Sequence, residues 1–365
     1  MSAPANKPSR FVLLRYLSGV LLSRVLLCGA VLVGLLEILA LLEQTTPILQ
    51  RHLGVSGILT YAAMRLPFLL AGTLPLSLLI GALVTLTQMT LASEMAILQA
   101  SGLSVVGLYK RLIPATLIIG MLGVTLDDQV TPRSEQALAA WWNRTDPHPE
   151  NGHSFWFHEG LTLTRVNYVA DGGNFLGGVT LYSRNEKGLL QDVIRAERAD
   201  YSKARGWILH DLKVVHVKTA TAENMPDEAE RAWPTSLHPW DFIRLSAENP
   251  PLSSGTILGM LRGHLPSDSS PGFLQAGLLE RFLRPLSLLV LLLIALPVIY
   301  IPPRTGTRSW TPVWCLGAGL LFVIVQGMLR AMGNAGLLPP PVATIPGLII
   351  FTLGAVTVLL RNEAK

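Results

Sequence analysis

Along the chain, apolar residues gather into six long runs, three on each side of a polar stretch at 127–279. A bilayer's hydrocarbon core, about 30 Å thick, takes roughly 20 apolar residues of helix. The runs at 25–42, 66–93, 112–126, 285–303, 309–329 and 341–360 meet that length once flanking turns are included, the third being the shortest. Pro67 and Pro75 fall inside the second run, and a spanning helix tolerates proline where neighbouring groups take up the freed carbonyls. Lys7, Arg10 and Arg15 precede the first run, but Arg24 interrupts it and no small-x-small cleavage pattern follows. The pattern therefore predicts a retained first helix and not a removed signal.

The polar stretch reads differently. Segments 155–157, 161–169, 179–182, 193–201 and 207–217 are short and rich in aromatic and β-branched residues, with alternation at Leu161 and Leu163 and at Leu212 and Val214. Turn chemistry separates them: Asn151-Gly152, Asp171-Gly172-Gly173, 185–188 and 203–206. Such spacing predicts a sandwich, a jelly roll or an open β-fold. Residues 219–233 read as an acidic loop, 253–265 as a short amphipathic helix and 266–271 as a linker. The fold class is thus an α-helical integral membrane protein with six transmembrane helices (3+3) and an inserted all-β, jelly-roll-like domain. Its expected parts are 1–130 with the first three spans, 131–265 as the β-domain and 266–365 with the last three spans.

Composition agrees. Apolar residues make up 50% of the chain and charged residues 15%, against about 25% charged in ordinary soluble domains. A net charge of +5 does not point to nucleic acid. Cys28 and Cys315 lie in different apolar runs, which excludes a disulfide framework or a zinc site built on thiols. Lys and Arg in the short loops set orientation. With the N-terminus in the cytoplasm, that side carries Lys7, Arg10, Arg15, Arg24, Lys110, Arg111, Arg304, Arg308, Arg361 and Lys365. The opposite short loops carry Arg51, Arg65 and Arg330. Both termini are then cytoplasmic and the insert is outside.

Catalytic motifs are missing: no phosphate-cradling glycine loop, no G-x-S-x-G and no H-E-x-x-H. His210 and His216 could face one another across strands, and Asp127-Asp128 reads as solvated residues ending a helix. No catalytic residue, metal or cofactor is expected on this chain. Glu37, inside the first run, is a costly intramembrane carboxyl and so a candidate for substrate or partner contact.

The loop after the second run is the sharpest short signal. Ser93 reads as an N-cap, Glu94 suits the first turn of a helix dipole, and Gly102 suits the end. The helix over 93–102 has Met95 and Leu98 on a shared face, and a helix so short must dock on something. Together with the 3+insert+3 layout, Arg15-Tyr16, Leu74-Pro75-Leu76, Ser93-Glu94, Ala100-Ser101-Gly102-Leu103, the run Leu176 to Tyr182 and Trp207-Ile208-Leu209, it resembles the LptF/LptG family of lipopolysaccharide-export permeases, nearer the LptG branch. The resemblance implies a half-transporter in the bacterial inner membrane, paired with an LptF-type permease, an LptB-type ATPase dimer and an LptC-type membrane-anchored protein. ATP would be used by the separate ATPase. Lipopolysaccharide would be extracted from the membrane and passed to a periplasmic bridge toward the outer membrane. Ser93, Glu94, Met95, Leu98 and Gly102 would form the ATPase-coupling helix.

Family members often carry basic residues near the end of the first helix and after the third. Here the stretches read Ala40-Leu41-Leu42-Glu43 and Ala137 to Trp142, without a cation. Relocated cations would then be Arg133, Arg144, Arg281 and Arg284, with Glu37 and Glu43 as further cavity candidates. Three readings compete with an LptG-type subunit. An LptF-type partner subunit shares its architecture. A secondary transporter should show repeated halves, and no repeat is visible. A membrane-anchored lipid-binding assembly factor would work without an ATPase. Orientation is tested by an impermeant thiol reagent: a cysteine replacing Lys187 is labelled from outside the inner membrane, and one replacing Arg308 is not. The reverse labelling would overturn the topology.

Overall fold

The computed structural model describes residues 8–148, 150, 154–185, 188–218, 221–224, 228–246, 252–262, 271–301 and 309–363. Expectations placed on Lys7, Asn151-Gly152, Lys187, 266–270, Arg304, Arg308 and Lys365 lie outside them. In chain order come helices α1 (Pro8–Gln50), α2 (Gly54–Leu91), α3 (Glu94–Ala100), α4 (Val105–Thr125) and α5 (Thr131–Arg144). Strands follow as β1 (Phe155–Glu159), β2 (Thr162–Ala170), β3 (Phe175–Arg184), β4 (Leu190–Ser202), β5 (Gly206–Lys218), β6 (Thr221–Asn224) and β7 (Glu228–Trp233). Helices α6 (Pro239–Ser246), α7 (Ser254–Leu261), α8 (Pro271–Ala295), α9 (Thr311–Asn334) and α10 (Pro340–Glu363) complete the chain.

Among the described residues, six helical segments are long and apolar enough to cross a membrane, three before the strands and three after. The short third run gains its length at both ends: α4 starts at Val105, and a π-helical turn over Leu126–Val130 joins it to α5. Helix α2 passes through Pro67 and Pro75 without ending.

Contacts divide the chain into two units. The first comprises Met1–Ala40, Leu66–Asp127 and Pro271–Lys365. Its core joins Leu17, Leu21 and Val25 of α1 to Leu78 and Leu79 of α2, Leu108 and Leu112 of α4, and Leu291 to Leu293 of α8. Lipid tails are as apolar as leucine, so close packing and not water exclusion holds such helices together. Close approach depends on glycine. A Cβ on Gly81 would lie 2.8 Å from the Val25 backbone, and one on Gly120 would lie 3.0 Å from Pro285. Buried hydroxyls bond back to the preceding turn, Thr85 to the Gly81 carbonyl at 2.7 Å and Thr90 to that of Leu86 at 2.7 Å. These two hydroxyls therefore do not face hydrocarbon unpaired. Burial is uneven: 61% of the apolar window of α8 is buried, but only 11% of that of α1.

The second unit comprises Leu41–Arg65 and Asp128–Ser270. It therefore takes in the end of α1 and the start of α2, which the sequence boundary at 130 assigns to the spans. Its seven strands form one antiparallel sheet in sequential order β1 to β6, with β7 pairing beside β6 along β5. The all-β expectation is realised as a meander. Residues 219–233, expected as a loop, contain β6 and β7. Their polar composition hid them: β7 turns Trp233 inward and leaves Ala229, Glu230 and Ala232 exposed. Helices α5 and α6 were also not foreseen within the insert.

Aromatic rings fill this core. Phe242 of α6 meets Trp207 edge-on at 4.9 Å and Phe157 at 5.6 Å, and the Trp207 indole donates to the Leu237 carbonyl at 2.8 Å. Leu176-Gly177-Gly178-Val179 has a packing cause. A Cβ on Gly177 would collide with the Tyr168 ring at 2.1 Å, and Gly178 has φ +63°. His210 and His216 both lie on β5 and so do not oppose one another. His210 sits 3.2 Å from Asp200 and 3.4 Å from Glu230, and His216 bonds Asp192.

The glycine contact between α1 and α2 is testable. Gly81→Ala should destabilise the full-length protein by about 1–3 kcal/mol, the range for overpacking a tight contact. Gly34→Ala, where a Cβ meets nothing within 4 Å, should be neutral or slightly stabilising. Thermal unfolding in detergent reads both. Equal effects would show that the α1–α2 approach is not set by Gly81.

Candidate functional site

Helix α3 is built by its two ends. Ser93 holds the N-cap position but not by capping chemistry: it is left-handed at φ 60° and its side chain makes no cap bond. Its N–H donates to the Thr90 carbonyl at 3.1 Å and its carbonyl accepts from Ile97 at 3.2 Å, so it ends α2 and starts α3 in one residue. At the other end Gly102, φ +88°, donates to the Gln99 carbonyl at 2.9 Å, and Leu103 donates to that of Leu98 at 3.1 Å. These two bonds form a Schellman motif, which requires the left-handed residue that glycine supplies.

Met95, 3% exposed, and Leu98 pack into the same core as α1, α2 and α4. What α3 must dock on is thus its own bundle. The outward face carries Ala96, Gln99 and Ile97, the last 68% exposed. Glu94 accepts a hydrogen bond from the Tyr16 hydroxyl at 3.1 Å, tying the first turn of α3 to α1.

A charged cluster occupies another part of this unit. Arg284 lies 3.0 Å and Arg281 4.0 Å from Asp127, and Arg330 of α9 lies 2.6 Å from Glu280. Glu280 and Arg284 are one helical turn apart on α8 and share a face. Beside them a cavity of about 230 Å³ opens among α2, α8, α9 and α10. Asp127 is therefore an ion-pair partner and not a solvated helix end. Its neighbour Asp128 accepts from the Ser254 N–H at 2.6 Å, where α7 begins.

The remaining candidates do not join this cluster. Arg133 is exposed and donates to Gln129 at 3.3 Å. Arg144, also exposed, lies across Gly172, where a Cβ would sit 2.5 Å from its Nε. Both belong to the second unit, as does exposed Glu43. Half-buried Glu37 is in the first. Arg281 and Arg284 are already matched by Asp127, so the four arginines do not form one shared set.

In the second unit Arg65 grips both oxygens of Glu135 at 2.8 and 3.0 Å. Arg51 stacks 4.1 Å from the Trp142 ring centre and pairs with Asp146 at 3.2 Å. Burial pulls the Arg51 guanidinium below its ordinary value, and Asp146 pulls it back. Arg51, Arg65 and Arg330, the three cations of one set of short loops, are thus all neutralised in place. Among the described residues Arg15, Arg24, Lys110, Arg111 and Arg361 of the other set carry no ion pair.

Sequence reasoning missed Glu280, Gln326 and Arg330. They sit in or beside runs judged by their lack of charge. The available signal was the i, i+4 spacing of Glu280 and Arg284, with one arginine near the end of the fifth run. Among the described residues no group of three His, Cys, Asp or Glu is placed to hold a metal ion.

The chain matches the family described as lipopolysaccharide export system permease LptF/LptG over residues 15–361. It is 22% identical over 358 residues to the lipopolysaccharide export system permease protein LptG of Escherichia coli strain K12, covering 96% of this chain and 99% of that protein. Against the protein of that name from Haemophilus influenzae it is 23% identical over 326 residues, covering 86% and 88%.

The Asp127–Arg284 pair gives a quantitative test. Arg284→Gln strands a half-buried carboxylate, and Asp127→Asn strands the guanidinium. A double-mutant cycle on thermal stability should show the double variant more stable than the sum of the singles by about 1–3 kcal/mol. Strict additivity would mean that the two charges do not interact.

Proposed function

Because the chain belongs to the lipopolysaccharide export system permease family LptF/LptG, we propose that it is the LptG-type half of an ATP-driven exporter whose motor binds α3. It is a multi-pass membrane protein of the lipopolysaccharide export system. In this reading the finer assignments are these. An LptF-type permease supplies the other half, an LptB-type ATPase dimer hydrolyses ATP, and an LptC-type protein completes the complex. Lipopolysaccharide leaves the inner membrane and passes to a periplasmic bridge. Both termini and α3 face the cytoplasm, and the β-sheet unit faces the periplasm. The distribution of cations supports this orientation, since Lys and Arg are more numerous in cytoplasmic short loops.

The carrying observation is the split character of α3. Met95 and Leu98 anchor it in the core shared by α1, α2 and α4, while Ile97 is 68% exposed on the opposite face. A partner that seats on that face and moves takes the spans with it. No flexible joint absorbs the displacement, because Ser93 and the Gly102 cap hold both ends by backbone bonds.

Reconstitution in vesicles with the ATPase tests the proposal. Glu94→Gln should weaken binding of the ATPase by about 2–5 kcal/mol, the cost of stranding a charge partner in a desolvated interface. Loss of a dipole effect alone would cost only about 0.3–1 kcal/mol. Glu94→Arg should abolish lipopolysaccharide release, with the ATPase either lost on co-purification or hydrolysing without transport. Normal release by Glu94→Arg would show that this end of α3 does not touch the motor. Failure of the unsubstituted chain to co-purify with an ATPase would favour an assembly factor.

A further inference from the structure

A groove of about 490 Å³ opens where α8 ends, α9 begins and α10 ends. Helix α10 lines it with Ile350, Gly354, Val358 and Asn362, which are four residues apart and share one face. Over that stretch the helix rises about 18 Å, close to the roughly 15 Å of hydrocarbon in one leaflet. The walls are accessible: Trp314 is 76% and Ile350 65% exposed, and a Cβ on Gly354 would meet nothing within 4 Å. Buried Cys315 and Ala355 form the floor. An occupant of the groove therefore meets these walls directly.

Polarity changes along the groove. Ile350 and Ala318 line its inner end, whereas Thr311 and Asn362, a hydroxyl and an amide, line the other. Trp310 and Trp314, both exposed, mark that same polar end, and tryptophan concentrates at the boundary between membrane and water. Exposed Arg361 lies three residues beyond Val358, so the groove-lining face of α10 carries it. Its Cα–Cβ bond tilts toward the N-terminus of the helix, back along the groove. Among the described residues it makes no ion pair.

Dimensions narrow the occupant. Spread over about 18 Å, the volume gives a bore about 6 Å across. A second helix, about 10–12 Å across, does not fit. A polymethylene chain does, since its carbons approach apolar neighbours to about 4 Å. Chemistry at the polar end narrows it further. A guanidinium beside a hydroxyl and an amide suits a headgroup that is anionic and accepts hydrogen bonds, and a phosphate diester is both. One cation matches the single phosphate of a glycerophospholipid.

We infer that this groove holds one acyl chain of a glycerophospholipid, with the phosphate of that lipid at Arg361, Thr311 and Asn362. The lipid is a resident of the bilayer and not the cargo of export. It fills the space left open at Gly354 and joins α9 to α10 where their own side chains do not meet.

The test uses the full-length chain, with the subunits that co-purify with it, from vesicles of phosphatidylethanolamine, phosphatidylglycerol and lipopolysaccharide. A diazirine analogue of leucine replaces either Ile350 or Ile349, the latter 53% exposed but turned away from the groove. Detergent washing removes loose lipid before irradiation. Position 350 should then yield a phospholipid adduct, and position 349 should not. Both chains keep Gly354 and Arg361, so this readout does not depend on how further variants assemble. Gly354→Leu, placed where a Cβ is unobstructed, should fill the groove and abolish the adduct at 350. Arg361→Gln should lower it about fivefold, the effect of one lost hydrogen bond, and Arg361→Lys, which keeps the charge, should retain most of it. Equal adducts at 349 and 350 would mean passing lipid and overturn the site. A lipopolysaccharide or protein adduct at 350 overturns the phospholipid assignment, and no adduct there overturns the groove as a lipid site. An unchanged yield in Arg361→Gln overturns the phosphate contact and leaves that cation to the end of its own helix.

Discussion

Every polar group that enters hydrocarbon must find its partner inside the protein, because no water is there to replace it. That requirement organises the first unit. It explains why threonines of α2 return their hydroxyls to their own preceding turn. It explains why Asp127, Glu280, Arg284 and Arg330 occur as two pairs and not as scattered charges. It also explains the glycine contacts, since helices that gain nothing from excluding water must gain contact area by close approach. The same pairing continues in the second unit, where Arg51 and Arg65 each meet a carboxylate.

Helix α3 answers a different difficulty. Seven residues cannot hold a helix in water, since nucleation costs more than two turns return. Here both ends are closed by backbone bonds, and Met95 and Leu98 supply the tertiary contact. The result is a short lever with no slack. Its inner face belongs to the spans and its outer face is available to something else.

What could be read from the sequence follows the strength of each physical signal. Spans announce themselves by length and lack of charge, and six were legible. The strands β1 to β5 were legible because aromatic and β-branched residues alternate between turns. Strands β6 and β7 were not, because edge positions carry Thr, Glu and Asn, which look like loop. Gly102 was legible as a helix end, since only a left-handed residue suits that place. Ser93 misled: its hydroxyl suggests a cap, but the backbone uses the residue for its left-handed turn. The charged cluster stayed hidden because Asp127 and Arg330 lie far in sequence from Glu280, Arg281 and Arg284, and each looks like an interfacial residue alone.

The sequential order of the sheet has a consequence for how the protein is made. Each strand from β2 to β6 pairs with the one synthesised just before it, and β7 returns to β5 across a short gap. Loop closure is inexpensive at such short separations, and folds rich in local contacts form quickly. The insert can therefore complete its sheet during synthesis, before α8, α9 and α10 exist. The last three spans then enter the bilayer attached to an already folded neighbour, with no unpaired strands left waiting for a distant part of the chain.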